Sequence, residues 1–421
     1  MRASAFLIIP LLIFMLIVDL YTYRGLKPLI NRIENLLIRK SLKILYWSIS
    51  LVMFAAFVLF FYKIEDVRKA DSYVYVGYLT TAFALFYIPK FVLILFVLLK
   101  DVQKAAIWLI GLFANVKKGN KYESKSKSKM ERSEFLYQMG LVLAAIPFAS
   151  ILYGVTKGKF NFRVMQESLS FPNLPKAFKG LRIVQISDMH LGSFNKNYEK
   201  IEKAIELINE QKPDIILFTG DLVNNFAEET EGWGPVLNKM KAPMGKFSIL
   251  GNHDYGDYSH WPSAKAKAKN LKDIKDFHQV AGFKLLLNET VRLKIDDDEI
   301  ALIGVENWGK PPFPQHGDLD AAISGNEELP FKLLMSHDPS HWDEKVLDTD
   351  IDLTFAGHTH GMQFGIERAG IKWSPVQYKY PRWGGLYNKG KQFLYVNRGF
   401  GYIGFPGRIG MPPEITLIEL Y

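Results

Sequence analysis

The sequence predicts a helical membrane region of about four spans, followed by an α/β domain. Four long apolar segments lie within the first 153 residues, and no histidine occurs before His190. Later in the chain, short apolar runs of strand length alternate with polar motifs, and the stretch 198–211 has the apolar spacing of a helix. Strand, helix and strand in succession are typical of an α/β domain.

The four apolar segments are long enough to approach or cross a bilayer, and they cover residues 5–20, 44–62, 75–99 and 136–153. The first could be mistaken for a signal peptide, but it lacks a small-residue cleavage site and more spans follow. For Lys90, beside Pro89 in the third segment, we favour a side chain that snorkels to the interface over one paired inside the membrane. The stretch 105–115 is too short to span and is expected to lie in the interface.

Basic residues predict the orientation of these spans. The segments 24–43 and 100–132 are rich in Lys and Arg, whereas the connection 63–72 is nearly charge-balanced. The positive-inside rule then places the basic segments in the cytoplasm and the domain after residue 153 outside it. The spans themselves are expected to lie in the inner or plasma membrane. The Lys/Ser-rich stretch 117–129 is predicted to be a flexible cytoplasmic loop. Because much of the net charge of +9 comes from these flanking clusters, no nucleic-acid partner is expected.

Five polar motifs each follow an apolar run: Asp188-Met189-His190, Gly220-Asp221, Gly251-Asn252-His253-Asp254, Ser336-His337-Asp338 and Gly357-His358-Thr359-His360-Gly361. Side chains placed just past strand ends converge at one edge of a sheet. In extended backbone, residues two apart point to the same side, so each Asp-x-His or His-x-His pair can aim into one site. Asp221 is the natural candidate for a carboxylate that bridges two ions.

Each motif alone has an ordinary explanation, such as a turn, a helix N-cap or a histidine of the core. All five in this order, each after an apolar run, make those explanations insufficient. Carboxylate, imidazole and amide oxygens together suit Mn, Fe or Zn better than Ca or Mg, and the chain has no cysteine to offer a thiolate. The chemistry indicated is hydrolysis of a phosphate ester by two bridged metal ions.

With these motifs, residues 175–421 resemble the calcineurin-like metallophosphoesterase superfamily, and within it a membrane-attached branch similar to the YkuE and YaeI phosphodiesterases. The resemblance implies two mixed β-sheets sandwiched by helices. It implies one metal site formed by Asp188, His190, Asp221 and His360, and a second formed by Asp221, Asn252, His337 and His358. It also places His253 beside the substrate, oriented by Asp254. The chain departs from the common pattern at Met362 and Asn224, where relatives usually carry Gly and Asp.

The expected organisation is a membrane region at 1–153, a tether at 154–180 and a catalytic domain at 181–421. We expect a phosphoesterase in which a hydroxide bridging two metals attacks a phosphodiester or pyrophosphate linkage in a lipid or envelope substrate. His253 would stabilise developing charge or protonate the leaving group.

Two alternatives stay open. One is a cytoplasm-facing UDP-sugar-lipid pyrophosphatase of lipid A synthesis. The other is a non-catalytic membrane sensor or scaffold with a structural metal, although an intact His253 argues against it. The aromatic and basic region after His360 is either a rim that binds an anionic, partly apolar head group or ordinary packing of the second sheet. The sequence predicts no oligomeric state.

Overall fold

The computed structural model describes residues 2–63, 73–113, 127–311, 313–368 and 370–421. They form two compact units. The first unit comprises residues 1–67 and 78–153, and the second comprises residues 68–77 and 154–421. The charge-balanced connection 63–72 and the predicted loop 117–129 lie almost wholly outside the described residues.

Four long helices account for the apolar N-terminal region: α1 (Arg2–Asn31), α2 (Leu36–Tyr62), α3 (Tyr73–Phe113) and α4 (Lys127–Thr156). Each contains a stretch long and apolar enough to cross a membrane, which confirms the predicted number of spans. The stretch 105–115, predicted to lie in the interface, is for its described part the end of α3 and not a separate helix. Helix-forming residues without a break carry α3 through to Phe113.

Lys90 is paired within the first unit. Its ammonium lies 2.5 Å from Oδ1 of Asp19, and the Tyr87 hydroxyl donates to the other carboxylate oxygen at 3.1 Å. Lys90 is only 7% exposed and Asp19 is fully buried. The snorkelling prediction is therefore wrong, because a carboxylate on α1 neutralises the ammonium locally. Pro89 does not interrupt α3.

The second unit contains two six-stranded sheets and a separate two-stranded hairpin. Its strands are β1 (Arg163–Leu169), β2 (Arg182–Ile186), β3 (Ile215–Phe218), β4 (Gly245–Ser248), β5 (Lys284–Leu285), β6 (Glu289–Ile295), β7 (Asp298–Gly304), β8 (Lys332–Met335), β9 (Leu353–Ala356), β10 (Ile366–Arg368), β11 (Ile371–Trp373), β12 (Gly385–Lys389), β13 (Gln392–Val396) and β14 (Glu414–Leu420). Its helices are α5 (Tyr198–Glu210), α6 (Gly234–Leu237), α7 (Ala264–Val280), α8 (Leu319–Ile323) and α9 (Ser340–Glu344).

Both large sheets are mixed. The first has the order β1-β14-β2-β3-β4-β5 and the second the order β12-β13-β9-β8-β7-β6. In the first, β2 to β5 are parallel and β14 runs antiparallel to β2. In the second, β13, β9, β8 and β7 are parallel, with antiparallel partners at both edges.

The two sheets pack face to face, and helices cover their outer faces. On β2, Ile183 belongs to the core between the sheets, whereas Val184 faces the layer that contains α5 and α7. The predicted helix at 198–211 is confirmed as α5. Helix α7 packs on the same sheet through Ile274 and Phe277. This arrangement confirms the predicted fold class of two mixed sheets sandwiched by helices.

The structure departs from the predicted tether at 154–180. Residues 163–169 of that segment form β1, an edge strand that pairs in parallel with β14 from Arg163↔Glu414 to Leu169↔Leu420. Sequence gave little sign of this strand, because its polar and apolar residues do not alternate strictly and its partner lies about 250 residues away.

The strand ends position the polar motifs. β2, β3 and β4 of the first sheet end at Ile186, Phe218 and Ser248, just before the first three motifs. β8 and β9 of the second sheet end at Met335 and Ala356, just before the last two. Five loops, three from one sheet and two from the other, therefore meet at one end of the sandwich.

Candidate metal centre

Strained backbone accompanies the predicted ligands. Twelve non-glycine residues in the described chain have positive φ, and five of them are predicted ligands: Asp188, His190, Asp221, His358 and His360. Such left-handed conformations cost roughly 1–3 kcal/mol each and cluster at functional sites. The extended backbone assumed for the Asp-x-His and His-x-His motifs is thus not what the structure has. Sharp turns bring these side chains together instead.

The first group consists of Asp188, His190 and His360, all of which are buried. The Nε2 atoms of the two histidines lie 3.0 Å apart. Nε2 of His360 lies 3.3 Å from Oδ1 of Asp188. Three ligand atoms therefore face one point.

The second group consists of Asp221, His337 and His358. Oδ2 of Asp221 lies 3.2 Å from Nε2 of His337. The side-chain oxygen of Asn252 completes the group, at 2.8 Å from Nδ1 of His358 and 3.1 Å from Nε2 of His337. The same Oδ2 of Asp221 lies 3.7 Å from Nε2 of His190 in the first group. Asp221 therefore stands between the two groups, where a bridging carboxylate is predicted.

The donor set fits divalent cations. Burial lowers the pKa of His190 to about 3 and that of His358 to about 4, and it holds the pKa of His360 well below the usual value. These imidazoles are neutral at pH 7, which is the form that binds metal. When both neutral rings carry their hydrogen on Nδ1, the two facing Nε2 lone pairs can bind one ion.

The carboxylates and His337 behave differently. Burial raises the pKa of Asp188 to about 7. Burial would also raise the pKa of Asp221, but His337 and His253 hold it well below its usual range. Burial would lower the pKa of His337, yet the Asp221 carboxylate raises it to about 10. Asp221 is thus the carboxylate of the centre that is held ionised.

His253 lies at the edge of the centre. Its ring packs edge-on against the ring of His190, with the two ring centroids 5.1 Å apart. Its Nδ1 lies 2.8 Å from the carbonyl oxygen of Asn224, so Nδ1–H donates there and Nε2 is left for another partner. The predicted orienting contact from Asp254 is not what the structure has. Asp254 instead accepts hydrogen bonds from backbone N–H groups of Asp221, Leu222 and Gly251, because its buried carboxylate joins the second and third loops.

Residues outside the five motifs fix the ligand rings. The Thr219 carbonyl lies 2.7 Å from Nδ1 of His337, and the Tyr380 hydroxyl lies 2.8 Å from Nε2 of His358. In each ring, the nitrogen farther from the centre has a hydrogen-bond partner and the other nitrogen faces the centre. The buried guanidinium of Arg408 lies 3.3 Å from Nδ1 of His360. Tyr380 and Arg408 both belong to the aromatic and basic region that the sequence indicated after His360, but no spacing signal predicted their contacts with ligand rings.

A cavity of about 190 Å³ opens beside the second group. It is lined by Lys310, Pro311, Phe313, Pro339, Ser340, Asp343, Glu344, Lys379, Tyr380, Pro381 and Arg382. Tyr380 belongs to both cavity and centre, and the Phe313 ring lies 5.6 Å from the His358 ring. The ammonium of Lys379 stands over the rings of Phe313 and Tyr380.

Comparison with known families gives two matches. Residues 1–159 match the transmembrane domain of probable calcineurin-like phosphoesterases, and residues 181–362 match the calcineurin-like phosphoesterase domain. The uncharacterized metallophosphoesterase YkuE of Bacillus subtilis is 32% identical over 301 residues, which cover 69% of this chain and 98% of YkuE. This chain belongs to the calcineurin-like metallophosphoesterase family.

Other relatives of the family extend the match into the membrane region. An uncharacterized metallophosphoesterase of Campylobacter jejuni is 26% identical over 422 residues, covering 99% of this chain and 98% of its own length. A transmembrane protein with metallophosphoesterase domain from Danio rerio is 28% identical over 325 residues, covering 75% of this chain and 70% of its own. The predicted family and enzyme class are confirmed. The protein is a multi-pass, membrane-anchored phosphoesterase that depends on divalent metal ions.

Proposed function

We propose that this phosphoesterase uses two metal ions to hydrolyse a phosphodiester or pyrophosphate linkage in a lipid or other envelope substrate. The observation that carries the proposal is the position of Asp221. One carboxylate oxygen of this residue lies within 3.7 Å of a histidine in each ligand group. Two adjacent cations sharing one carboxylate are the arrangement that phosphoester hydrolysis uses.

The first ion would be held by Asp188, His190, Asp221 and His360, and the second by Asp221, Asn252, His337 and His358. Mn, Fe and Zn suit this mixture of carboxylate, imidazole and amide oxygen. When bound, such ions supply an activated water as nucleophile and neutralise charge on the phosphoryl oxygens.

The chain itself supplies the leaving-group chemistry. The Asn224 carbonyl fixes the His253 ring through Nδ1, so that Nε2 can hold a proton for the leaving oxygen. Asp254 contributes indirectly, since its carboxylate ties the loop of Asp221 to the loop of Asn252 and His253.

The cavity beside His358 supports an anionic, partly apolar substrate. Lys310 is paired with Glu344 and Arg382 with Asp343. Among the described residues, Lys379 has no carboxylate within ion-pair distance, so its charge is available to a second anionic group. The Phe313 and Tyr380 rings below it offer an apolar surface. A cavity of about 190 Å³ accommodates part of a head group.

A paired substitution tests this assignment. Full-length protein loaded with Mn²⁺ should cleave a generic phosphodiester, and Lys379→Ala should raise KM for an anionic lipid substrate by roughly tenfold with little change for the generic one. Lys391→Ala, which removes an exposed lysine from the β12–β13 turn, should change neither KM value. Absence of metal-dependent hydrolysis in the wild-type protein would contradict the proposed reaction. Equal KM values in the Lys379 variant and the wild type would contradict the assigned substrate site alone.

We also propose that the second unit is extracytoplasmic, as the distribution of basic residues around the four spans indicates. A reporter fused after Tyr421, active only outside the cytoplasm, should be active. If the full-length fusion behaves as cytoplasmic, the envelope substrate is excluded and a cytoplasm-facing UDP-sugar-lipid pyrophosphatase becomes the better assignment.

A further inference from the structure

The β10–β11 hairpin exposes apolar residues on one face, while its charged middle pair on the other face has partners within the unit. The register pairs Ile366 with Trp373, Glu367 with Lys372, and Arg368 with Ile371. The middle pair lies on the opposite face, still partly open to solvent, where Glu367 binds Arg398 and Lys372 donates to the Gly384 carbonyl. Ile366 and Ile371, on the other face, are exposed.

The segment just before the hairpin continues this apolar face. Met362, Phe364 and Ile366 are exposed, and the residues between them are buried. Met362 has a φ of 53°, a left-handed conformation that favours glycine. Neither its backbone nor its burial explains an exposed methionine there. We call Met362, Phe364, Ile366 and Ile371 the outer patch.

Exposed apolar side chains are concentrated here. Among the described residues from 154 onward, eight large hydrophobic side chains are exposed, and five of them fall between 362 and 378. They are the four residues of the outer patch and Tyr378. The other three, Tyr258, Val280 and Tyr421, are widely separated in sequence. A contiguous exposed apolar patch of this kind marks an interaction surface.

We propose that the outer patch inserts into the lipid–water interface of the membrane that anchors the chain. Only six residues, 157–162, separate the end of α4 from the start of β1. Even fully extended they reach roughly 20 Å, so a bilayer is always close to the second unit. Apolar side chains accompanied by Trp373 and Arg368 are the composition found at membrane interfaces. The charged middle pair has partners within the unit, and Arg368, the charged residue on the outer face, is long enough to keep its guanidinium among the head groups.

The position of the patch gives this contact a role. Met362 lies two residues after the ligand His360, so insertion of the patch would hold the metal centre at the level of lipid head groups. A lipid phosphoester could then enter without leaving the bilayer. The contact itself does not depend on the proposed reaction and can be tested in an inactive protein.

The absence of native cysteine makes the test direct. Full-length protein carrying Ile371→Cys, labelled with an environment-sensitive fluorophore, is reconstituted into phosphatidylcholine–phosphatidylglycerol vesicles with or without a nitroxide on the acyl chain near the head group. Val280→Cys on α7 is the matched control, since Val280 is 57% exposed and Ile371 is 58% exposed. We expect a shift to shorter wavelength and nitroxide-dependent loss of emission at position 371 but not at 280.

Equal quenching at the two positions would overturn the proposal. So would a label at 371 that is shielded from iodide, is not quenched by nitroxide lipid, and becomes accessible on dilution with empty vesicles, because a second copy of the chain would then cover the patch. Ile366→Cys gives an independent position if the 371 variant does not fold, and far-ultraviolet circular dichroism checks folding in each case.

Discussion

The two units of this protein bury charge in opposite ways. In the first unit, Asp19 meets the ammonium of Lys90 at 2.5 Å, so the chain neutralises its own carboxylate. In the second unit, Asp188 and Asp221 are surrounded by the imidazoles of His190, His337, His358 and His360, three of which burial keeps neutral. His337 and Arg408 offset part of this negative charge, and the lone pairs of the three neutral imidazoles allow bound metal ions to supply the rest.

The largest expected effect comes from removing the shared charge of the metal centre. Asp221→Asn should lower activity by roughly a thousandfold or more, because occupancy of both metal sites depends on this carboxylate. Elemental analysis together with an assay of a generic phosphodiester checks it. Asp276→Asn, on the exposed face of α7, is the control and should keep metal and activity. Two metals retained per chain in the Asp221 variant would show that Asp221 is not the bridge.

In the first unit, replacing one member of the Asp19–Lys90 pair should be more destabilising than replacing both. Asp19→Asn leaves the Lys90 ammonium buried without its counter-ion and should lower the free energy of unfolding by about 3 kcal/mol. The double variant Asp19→Leu, Lys90→Met should recover most of this loss. Thermal unfolding in mild detergent measures both. Arg24→Gln, which breaks the more exposed pair with Asp101, should cost less than about 1 kcal/mol. A double variant as unstable as the single one would contradict the idea that the loss comes from leaving the Lys90 ammonium without its counter-ion.

His253 tests whether catalysis can be separated from metal binding. His253→Ala should reduce turnover by about a hundredfold, while metal content stays near that of the wild type. Parallel turnover and metal measurements on the same preparation decide the matter. Full activity in this variant would refute the assigned role, and parallel loss of metal would make His253 part of the ligand set.

The smallest effect is expected at the hydroxyl that fixes a ligand ring. Tyr380→Phe removes the partner of Nε2 of His358 and should weaken metal affinity by roughly tenfold. Titration of Mn²⁺ against activity should show the shift, with full turnover restored at high metal. Tyr378→Phe is the matched control, since that neighbouring side chain is exposed. An unchanged titration curve in the Tyr380 variant would mean that other contacts orient the ring.

The sequence was most informative where chemistry and strand pattern coincide. The apolar runs before all five motifs are β2, β3, β4, β8 and β9, and the predicted ligands meet at the ends of these strands. Such runs are readable because a fully buried strand is apolar on both faces. The sharp turns that carry Asp188 and His360 were not predictable from spacing, since their left-handed backbone depends on the surrounding loops.

Contacts between distant segments were the features that sequence could not supply. Asp19 and Lys90 are 71 residues apart, and nothing local shows that α1 and α3 place them together. β1 and β14 likewise find each other only in the folded sheet. The sequence left two interpretations of the aromatic region after His360 open, a substrate rim or ordinary packing, and its residues differ in position. Tyr380 contacts the metal centre, Trp383 and Phe400 are buried, and Tyr378 is exposed.

The place of β14 in the first sheet sets a condition on biosynthesis. It lies between β1 and β2, yet about 230 residues separate β2 from β14 along the chain. At about 5–20 residues per second, the ribosome needs roughly 10–45 s to produce that stretch. Throughout this interval β1 has no neighbour and β2 presents an open edge, so the nascent chain is exposed to mispairing at the membrane surface. Strand β14, the last strand among the described residues, therefore completes the sheet, and a polypeptide interrupted before residue 414 would lack it.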